Sequence, residues 1–439
     1  MTRTRIALRG VSKVFGHGAD EALALVASGM AKEEVLARTG CVVGLHDVSF
    51  EVSAGEILVV MGLSGSGKST TLRCINRLIE PTAGSVVVDG VEVTALRRKD
   101  LWECRRRQFG MVFQHFALLP NRTVLGNVEY GLEIQGVAPA KRREAAMRAI
   151  EVVGLKGYDG RYPAQLSGGM QQRAGLARAL AADAPILLMD EAFSALDPLI
   201  RRDMQAELRG LQVKLDKTIV FVSHDLDEAV ALGGRIVLMK DGCVVQVGTP
   251  EDILLQPATE YVGRFVEHID VASVLTAGRL ADPAAISLTT AMTATDAKVA
   301  VVGCTMGGWF VVDERGQLVG NLERESLTLA TGNESVASLM RPVGTRVPSG
   351  VTLKSVLPAL ASSRDGLAVV APSGRLVGRL TTKSAIAAMA GAEHRRGALL
   401  DGPGAGPTGE PAWTGPSQNF PSTISPIEVS PISRPTVRA

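Results

Sequence analysis

The chain has 439 residues and a mass of 46.2 kDa, more than one compact core holds, since single cores stop growing near about 250 to 300 residues. Its 47 basic and 45 acidic residues leave a formal charge of +2 with no long basic run, so charge suggests no nucleic acid partner. Mean hydropathy is +0.17, yet apolar runs such as Ile57-Leu58-Val59-Val60-Met61 and Ile186-Leu187-Leu188-Met189 are strand-sized, well short of the roughly 20 residues that cross a bilayer.

The opening Met1-Thr2-Arg3-Thr4-Arg5 runs straight into a strand-like Ile6-Ala7-Leu8 without an apolar signal core, an arrangement expected of a cytoplasmic chain. Cys41, Cys74, Cys104, Cys243 and Cys304 stand singly and read as reduced, small apolar residues. Residues 6–15 and 42–52 alternate like strands. Between them Ala19 to Gly40 suits one or two short helices, with Gly40 placed as a C-terminal stop. From Ile57 to about Val266, short β-branched runs alternate with polar helices, the pattern of a mostly parallel sheet covered by helices.

After about residue 270 a self-similar pair appears: Phe310-Val311-Val312-Asp313-Glu314-Arg315-Gly316-Gln317-Leu318-Val319-Gly320 aligns with Ala368-Val369-Val370-Ala371-Pro372-Ser373-Gly374-Arg375-Leu376-Val377-Gly378 at an offset of 58. The stretch beyond about Gly397 holds eight of the 21 prolines and few large apolar residues, too few to offset the entropy of ordering. The expected organisation is α/β throughout: a nucleotide-binding domain over 1–270 with an insert at 17–43, a duplicated domain over 271–394, and a disordered proline-rich tail over 395–439.

Gly62-Leu63-Ser64-Gly65-Ser66-Gly67-Lys68-Ser69 fits GxxxxGK[ST] and lies between the apolar strand Ile57 to Met61 and the amphipathic stretch from Thr70 to Leu78. Glycines turn backbone N–H groups towards phosphate oxygens, and the helix N-terminus adds partial positive charge. Lys68 is expected to reach the β- and γ-phosphates of ATP and Ser69 to bind Mg²⁺. Asp190-Glu191 ends the apolar run Ile186 to Met189, setting two carboxylates at a buried strand's end. Asp190 suits the Mg²⁺ shell, and Glu191 suits polarising a water that attacks the γ-phosphate.

Leu166-Ser167-Gly168-Gly169-Met170 resembles the signature of ATP-binding cassette (ABC) ATPases, and with the phosphate loop it implies an ABC-type P-loop fold: a mixed sheet core with a helical subdomain. The resemblance extends to Gln114 after Gly110-Met111-Val112-Phe113 as the Q-loop, to Ser194-Ala195-Leu196-Asp197 as the D-loop, and to His224 in Phe221-Val222-Ser223-His224-Asp225 as the switch histidine. It implies that Gln114 binds Mg²⁺ or orients water and that His224 contacts the γ-phosphate. Taken alone, Gln114 reads as a surface glutamine and His224 as a satisfied core histidine. Phe15 occupies the place of the ring that stacks on adenine; its other reading is a core phenylalanine. Leu166 to Met170 would serve the ATP of an opposite subunit, so a complete site takes two copies face to face.

Met61 to Thr70, Asn76 to Thr82, Met189 to Arg201, Ser223 to Ala229 and the insert from His17 to Val43 look like the ATPase subunit of glycine betaine/proline betaine importers. That resemblance implies a peripheral protein on the cytoplasmic face of the cell membrane, working with a separate permease and a substrate-binding protein. The permease would dock near Gln114, over Phe116, Leu118 and Leu119, which otherwise read as core. The duplicated unit looks like a tandem CBS module. Neither Glu323-Arg324-Glu325-Ser326 nor Thr381-Thr382-Lys383-Ser384 carries the carboxylate that holds ribose in such modules, which argues against adenine nucleotide there. The competing readings are a cassette that signals as a dimer without a permease, and an importer ATPase for another small solute.

Overall fold

Aliphatic runs with no polar interruption become the central strands of a six-stranded sheet, in the order Cys243–Gly248, Arg235–Lys240, Ile57–Met61, Thr218–Val222, Ile186–Asp190 and Phe109–Val112. All but the first run parallel. Every residue of Ile57–Met61, Thr218–Val222 and Ile186–Asp190 is buried, as a sheet covered on both faces requires. The computed structural model describes residues 3–400 except 115, 195, 284–286 and 305, with the backbone alone for 392–400.

One face of this sheet packs against a four-stranded antiparallel sheet in the order Val42–Ser53, Thr4–Phe15, Ala83–Val88 and Val91–Glu92. Ile6, Leu8, Val48 and Val52 of that second sheet share a core with Leu58, Val60, Leu188 and Val220. The other face is covered by helices, among them Pro198–Leu215 and Leu226–Leu232. Helices Val124–Ile134, Pro139–Val152 and Gly168–Ala181 pack on one another at the far edge, beside Phe109–Val112. The insert folds as two helices, Ala19–Ala27 and Lys32–Thr39; Gly40 ends the second in a left-handed conformation, its N–H donating to the carbonyl of Leu36.

The repeat produces two units of the same element order. The first runs through Ser287–Thr289, Ala294–Ala300, Gly308–Val312, Leu318–Glu323 and Arg324–Leu329. The second runs through Arg346–Pro348, Leu353–Ser362, Leu367–Val370, Leu376–Leu380 and Thr382–Leu400. In each unit the first strand pairs parallel with the second and the second antiparallel with the third. Arg379 is buried between the units, donating to the carbonyls of Gly308 (2.8 Å) and Asp365 (2.6 Å) with its guanidinium over the Phe310 ring.

Their surroundings differ. The first unit has its own core around Trp309, Leu322 and Leu327, whereas Leu353, Leu367 and Leu380 of the second join the large core that holds Ile253, Val262 and Val266. Polar contacts reinforce that joint: Glu251 accepts from the backbone N–H (2.8 Å) and hydroxyl (2.6 Å) of Thr276, and Lys354 pairs with Asp270 at 2.9 Å. The expected boundary between residues 270 and 271 therefore falls within continuous packing. The last helix runs on to Leu400, which corrects the expectation of a disordered tail from 395: helical backbone hydrogen bonding carries residues 395–400. Residues 401–439 of that tail lie outside the described residues.

Leu322 and Leu380 are equivalent in the repeat and equally inaccessible to solvent, so each truncation to alanine removes about 2 to 5 kcal/mol from its own core. Leu380→Ala is expected to lower the temperature at which ATPase activity is lost; Leu322→Ala is expected to leave that temperature nearly unchanged while lowering a separate unfolding transition in calorimetry.

Candidate nucleotide site

Parallel strands that share a register end together, and four of them end here. Val60 pairs with Val222, Val222 with Asp190, and Met189 with Val112, so Gly62, Ser223, Glu191 and Gln114 all leave the carboxyl edge of the sheet side by side. Backbone bonds lock the junction, with Ser223 N–H donating to Val60 O (3.1 Å) and Glu191 N–H to Val222 O (3.2 Å).

The loop from Gly62 to Ser69 opens helix Lys68–Ile75. Gly62 has φ +145°, and a Cβ there would stand 2.2 Å from the Met239 carbonyl oxygen, so only glycine fits. Leu63, Ser64 and Gly65 are exposed, Ser66 and Lys68 are buried, and Gly67, Ser69 and Thr70 are partly buried. Lys68 Nζ curls over its own loop, donating to the carbonyls of Gly62 and Leu63, each at 2.9 Å. Burial lowers its pKa below the ordinary lysine value, opposed by Glu191 and Asp190. The buried Ser66 hydroxyl has no protein partner. A cationic loop with an unspent hydroxyl at a helix N-terminus has the donor set that phosphate oxygens satisfy.

Beside it, the Ser69 hydroxyl donates to Asp190 Oδ1 at 2.6 Å, and Arg73 pairs with Asp190 Oδ2 at 3.2 Å. Among the described residues no group of three or more His, Cys, Asp or Glu could hold a metal ion without other ligands. The Ser69 and Asp190 pair does suit Mg²⁺, a cation usually held by one or two carboxylate or hydroxyl groups together with phosphate oxygens.

Glu191 follows with φ +46°, a left-handed backbone uncommon outside glycine and a store of strain of about 1 to 3 kcal/mol. That turn aims its carboxylate back over the sheet edge. Gln114 Nε2 donates to Glu191 Oε2 at 3.2 Å, and the exposed His224 has its Nδ1 3.7 Å from the same oxygen. Ser194 Oγ accepts from Gln114 Nε2 at 3.4 Å and donates to Glu191 O at 2.9 Å. Leu196 is buried and Asp197 caps helix Pro198–Leu215, accepting from Leu199 and Ile200; Ala195 lies outside the described residues.

Phe15 is exposed at the end of its strand, with Lys13 Nζ 5.1 Å from the ring centroid. A Cβ on Gly44 would meet the Phe15 ring at 2.7 Å, and the Gly44 carbonyl oxygen is 2.8 Å from where a Cβ on Gly67 would stand. The ring is thus a free aromatic face one backbone step from the phosphate loop, which excludes the reading of Phe15 as core.

The signature is elsewhere. Ser167 caps helix Gly168–Ala181, accepting from Met170 N–H; Ser167 and Gly168 are exposed, Leu166 and Gly169 are buried, and Met170 packs on the large core. Among the described residues no hydrogen bond or ion pair joins this segment to the phosphate loop.

Three residues that carry no role in the sequence reading, Arg178, Arg201 and Glu228, hold the site in shape. Arg178 reaches from the signature helix to the carbonyls of Ala117 (2.5 Å) and Phe116 (3.2 Å), two consecutive left-handed residues just after Gln114. Arg201 donates to Leu196 O at 3.1 Å and faces Asp225 and Glu228. Glu228 accepts from Ser223 Oγ at 2.5 Å, and burial raises its pKa. Arg178 stands in a helix rich in alanine and glycine that also carries Arg173, and nothing in the string reveals which distant carbonyls it meets. Phe116, Leu118 and Leu119 are half-buried, with Leu118 packed on the core.

The family pattern described as ABC transporter matches residues 45–194. The chain is 46% identical over 391 residues to the glycine betaine transport ATP-binding protein OpuAA of Bacillus subtilis, covering 88% of this chain and 93% of that protein. The chain belongs to the ABC transporter ATP-binding proteins. It is 44% identical to the glycine betaine/carnitine transport ATP-binding protein GbuA of Listeria monocytogenes, over 89% of this chain and 98% of the relative. It is 51% identical to the glycine betaine/proline betaine transport system ATP-binding protein ProV of Escherichia coli, over 63% and 69%. The ABC-type fold and an ATPase activity follow from membership.

Replacing Glu191 by Gln keeps the hydrogen-bonding shape and removes the base. ATP binding is expected to persist while single-turnover hydrolysis falls about a hundredfold or more; hydrolysis at the parent rate would show that Glu191 is not the base.

Proposed function

We propose that the chain is the ATP-hydrolysing subunit of an importer for glycine betaine, proline betaine or a related quaternary amine. Two copies would work on the cytoplasmic face of the cell membrane beneath a separate permease, supplied by a substrate-binding protein. The observation that carries the reading is the meeting of Lys68, Ser69, Asp190, Glu191, Gln114 and His224 at one edge of the sheet. The quaternary amine is supported by the names of relatives that match nearly the whole chain, C-terminal repeats included.

In this reading adenine stacks on Phe15, and the N–H groups of residues 62–69 with Lys68 take the phosphates. Ser69, Asp190 and Gln114 would hold Mg²⁺, whose charge offsets that of the β- and γ-phosphates. Glu191 takes a proton from water as the water oxygen bonds to the γ-phosphorus and the bond to ADP breaks. His224 holds the Glu191 carboxylate and faces the γ-phosphate, and Gln114, beside the half-buried Phe116, Leu118 and Leu119, relates the base to the docked permease. Residues 166–170, a helix N-terminus with Ser167 and Gly168 exposed, serve the ATP of the second copy, flanked by the D-loop of residues 194–197.

Residues 1–270 then form the ATPase domain and 271 onward a CBS-like module. The Thr381 and Ser384 side chains hydrogen-bond one another as a helix cap (3.2 Å), and Arg379 covers Phe310, which supports a module that does not take adenosine.

Reconstitution with the cognate permease and binding protein in proteoliposomes tests the assignment. ATP hydrolysis is expected to rise, with uptake, for at least one of glycine betaine, proline betaine, carnitine and choline. Hydrolysis indifferent to permease and to every amine would favour a signalling cassette, and stimulation only by another solute would overturn the substrate class.

A further inference from the structure

The helices of the insert close over a small apolar cluster of Val14, Ala22, Val26, Val35, Cys41 and Val43, which accounts for their folding. It leaves one residue unaccounted for. Lys32 points inward, half-buried, and its Nζ donates to the Val43 carbonyl at 2.9 Å. The same Nζ lies 2.7 Å from where a Cβ on Gly242 would stand, against a glycine with φ +71° in the turn between Arg235–Lys240 and Cys243–Gly248.

Gly242 in turn holds the phosphate loop. Its N–H donates to the Ser66 carbonyl at 3.1 Å, its own carbonyl accepts from His46 N–H at 2.9 Å, and its Cα is 3.3 Å from where a Cβ on Gly67 would be. The Gly44 carbonyl oxygen, one residue past the acceptor of Lys32, is 2.8 Å from where that same Cβ on Gly67 would stand. Lys32, Gly242, Ser66 and Gly67 thus form one row of contacts, with the insert at its back. Asp241, Cys243 and Glu33 face the ammonium group, and burial outweighs them in lowering its pKa. A methionine would fill this place without stripping water from a charge, so packing alone does not call for lysine.

We propose that Lys32 is a positioning residue for ATP, through which the insert braces Ser66 and Gly67 and so holds the phosphate loop in the shape that receives the phosphates. The proposal rests on residues 62–69 being the phosphate loop. It gives the insert a task in nucleotide binding, separate from the chemistry at Glu191.

The test uses the full chain, with steady-state ATP hydrolysis and thermal unfolding of the parent, Lys32→Met and Lys32→Arg. Lys32→Met is expected to raise KM for ATP about fivefold to tenfold, with kcat within about twofold and the unfolding temperature held or raised. Lys32→Arg is expected to return KM towards the parent value. A KM within about twofold of the parent in Lys32→Met would overturn the proposal. So would a raised KM that tracks a lowered unfolding temperature and is not restored by arginine, because that pattern is loss of structure. Absence of hydrolysis by the parent would overturn the phosphate-loop reading itself, a result distinct from an unchanged KM.

Discussion

The parallel register of four adjacent strands, from Ile57–Met61 to Phe109–Val112, is the constraint on which the site depends. Side-by-side pairing of Val60, Val222, Asp190 and Met189 with their neighbours fixes where each chain segment leaves the sheet. Because those exits are adjacent, loops scattered from residue 62 to residue 224 become one constellation without any of them having to be long. The strands can hold that register because every side chain on both faces of the inner three is buried, and a slip would cost the whole apolar face. Strain is then tolerated at the edge: Glu191, Phe116 and Ala117 take left-handed backbones that the rigid sheet and the Arg178 clamp over-determine.

Much of this was legible in the sequence, for a physical reason. Phosphate recognition by backbone N–H groups demands glycines and a lysine at fixed spacing, so the loop at 62–69 announces itself in a string. A buried strand ending in paired carboxylates does the same for Asp190 and Glu191. What stayed hidden were partners chosen by folding. Arg178 meets carbonyls some sixty residues earlier, Glu228 receives Ser223 from within the apolar face of a helix, and Lys32 reaches a turn more than two hundred residues on. Each is a single polar residue on an otherwise apolar or small surface, and in sequence it cannot be told from one that points to solvent.

The duplicated units taught the same lesson at larger scale. The offset of 58 residues was plain, but equal sequences in the repeat do not imply equal surroundings. Leu322 closes a small private core, while Leu380 enters the core of the nucleotide-binding part. The second unit leans on helix Glu260–Phe265, whose Tyr261 hydroxyl donates to the Met239 carbonyl at 3.4 Å. Packing is therefore continuous from the C-terminal repeats to the Met239 carbonyl, against which Gly62 at the start of the phosphate loop is set.

Among the described residues no hydrogen bond or ion pair joins the phosphate loop to the signature segment of the same chain, which under the proposed function leaves each for a second copy. Mixing Lys68→Ala chains with Gly168→Asp chains in the reconstituted complex tests the resulting two-copy account most directly, since Gly168 is exposed and its substitution leaves the core untouched. Each variant alone is expected to be nearly inactive, whereas the mixture regains hydrolysis, up to about a quarter of the parent sites if chains pair at random, because mixed pairs keep one intact loop facing one intact signature. A mixture no more active than its components would contradict the account.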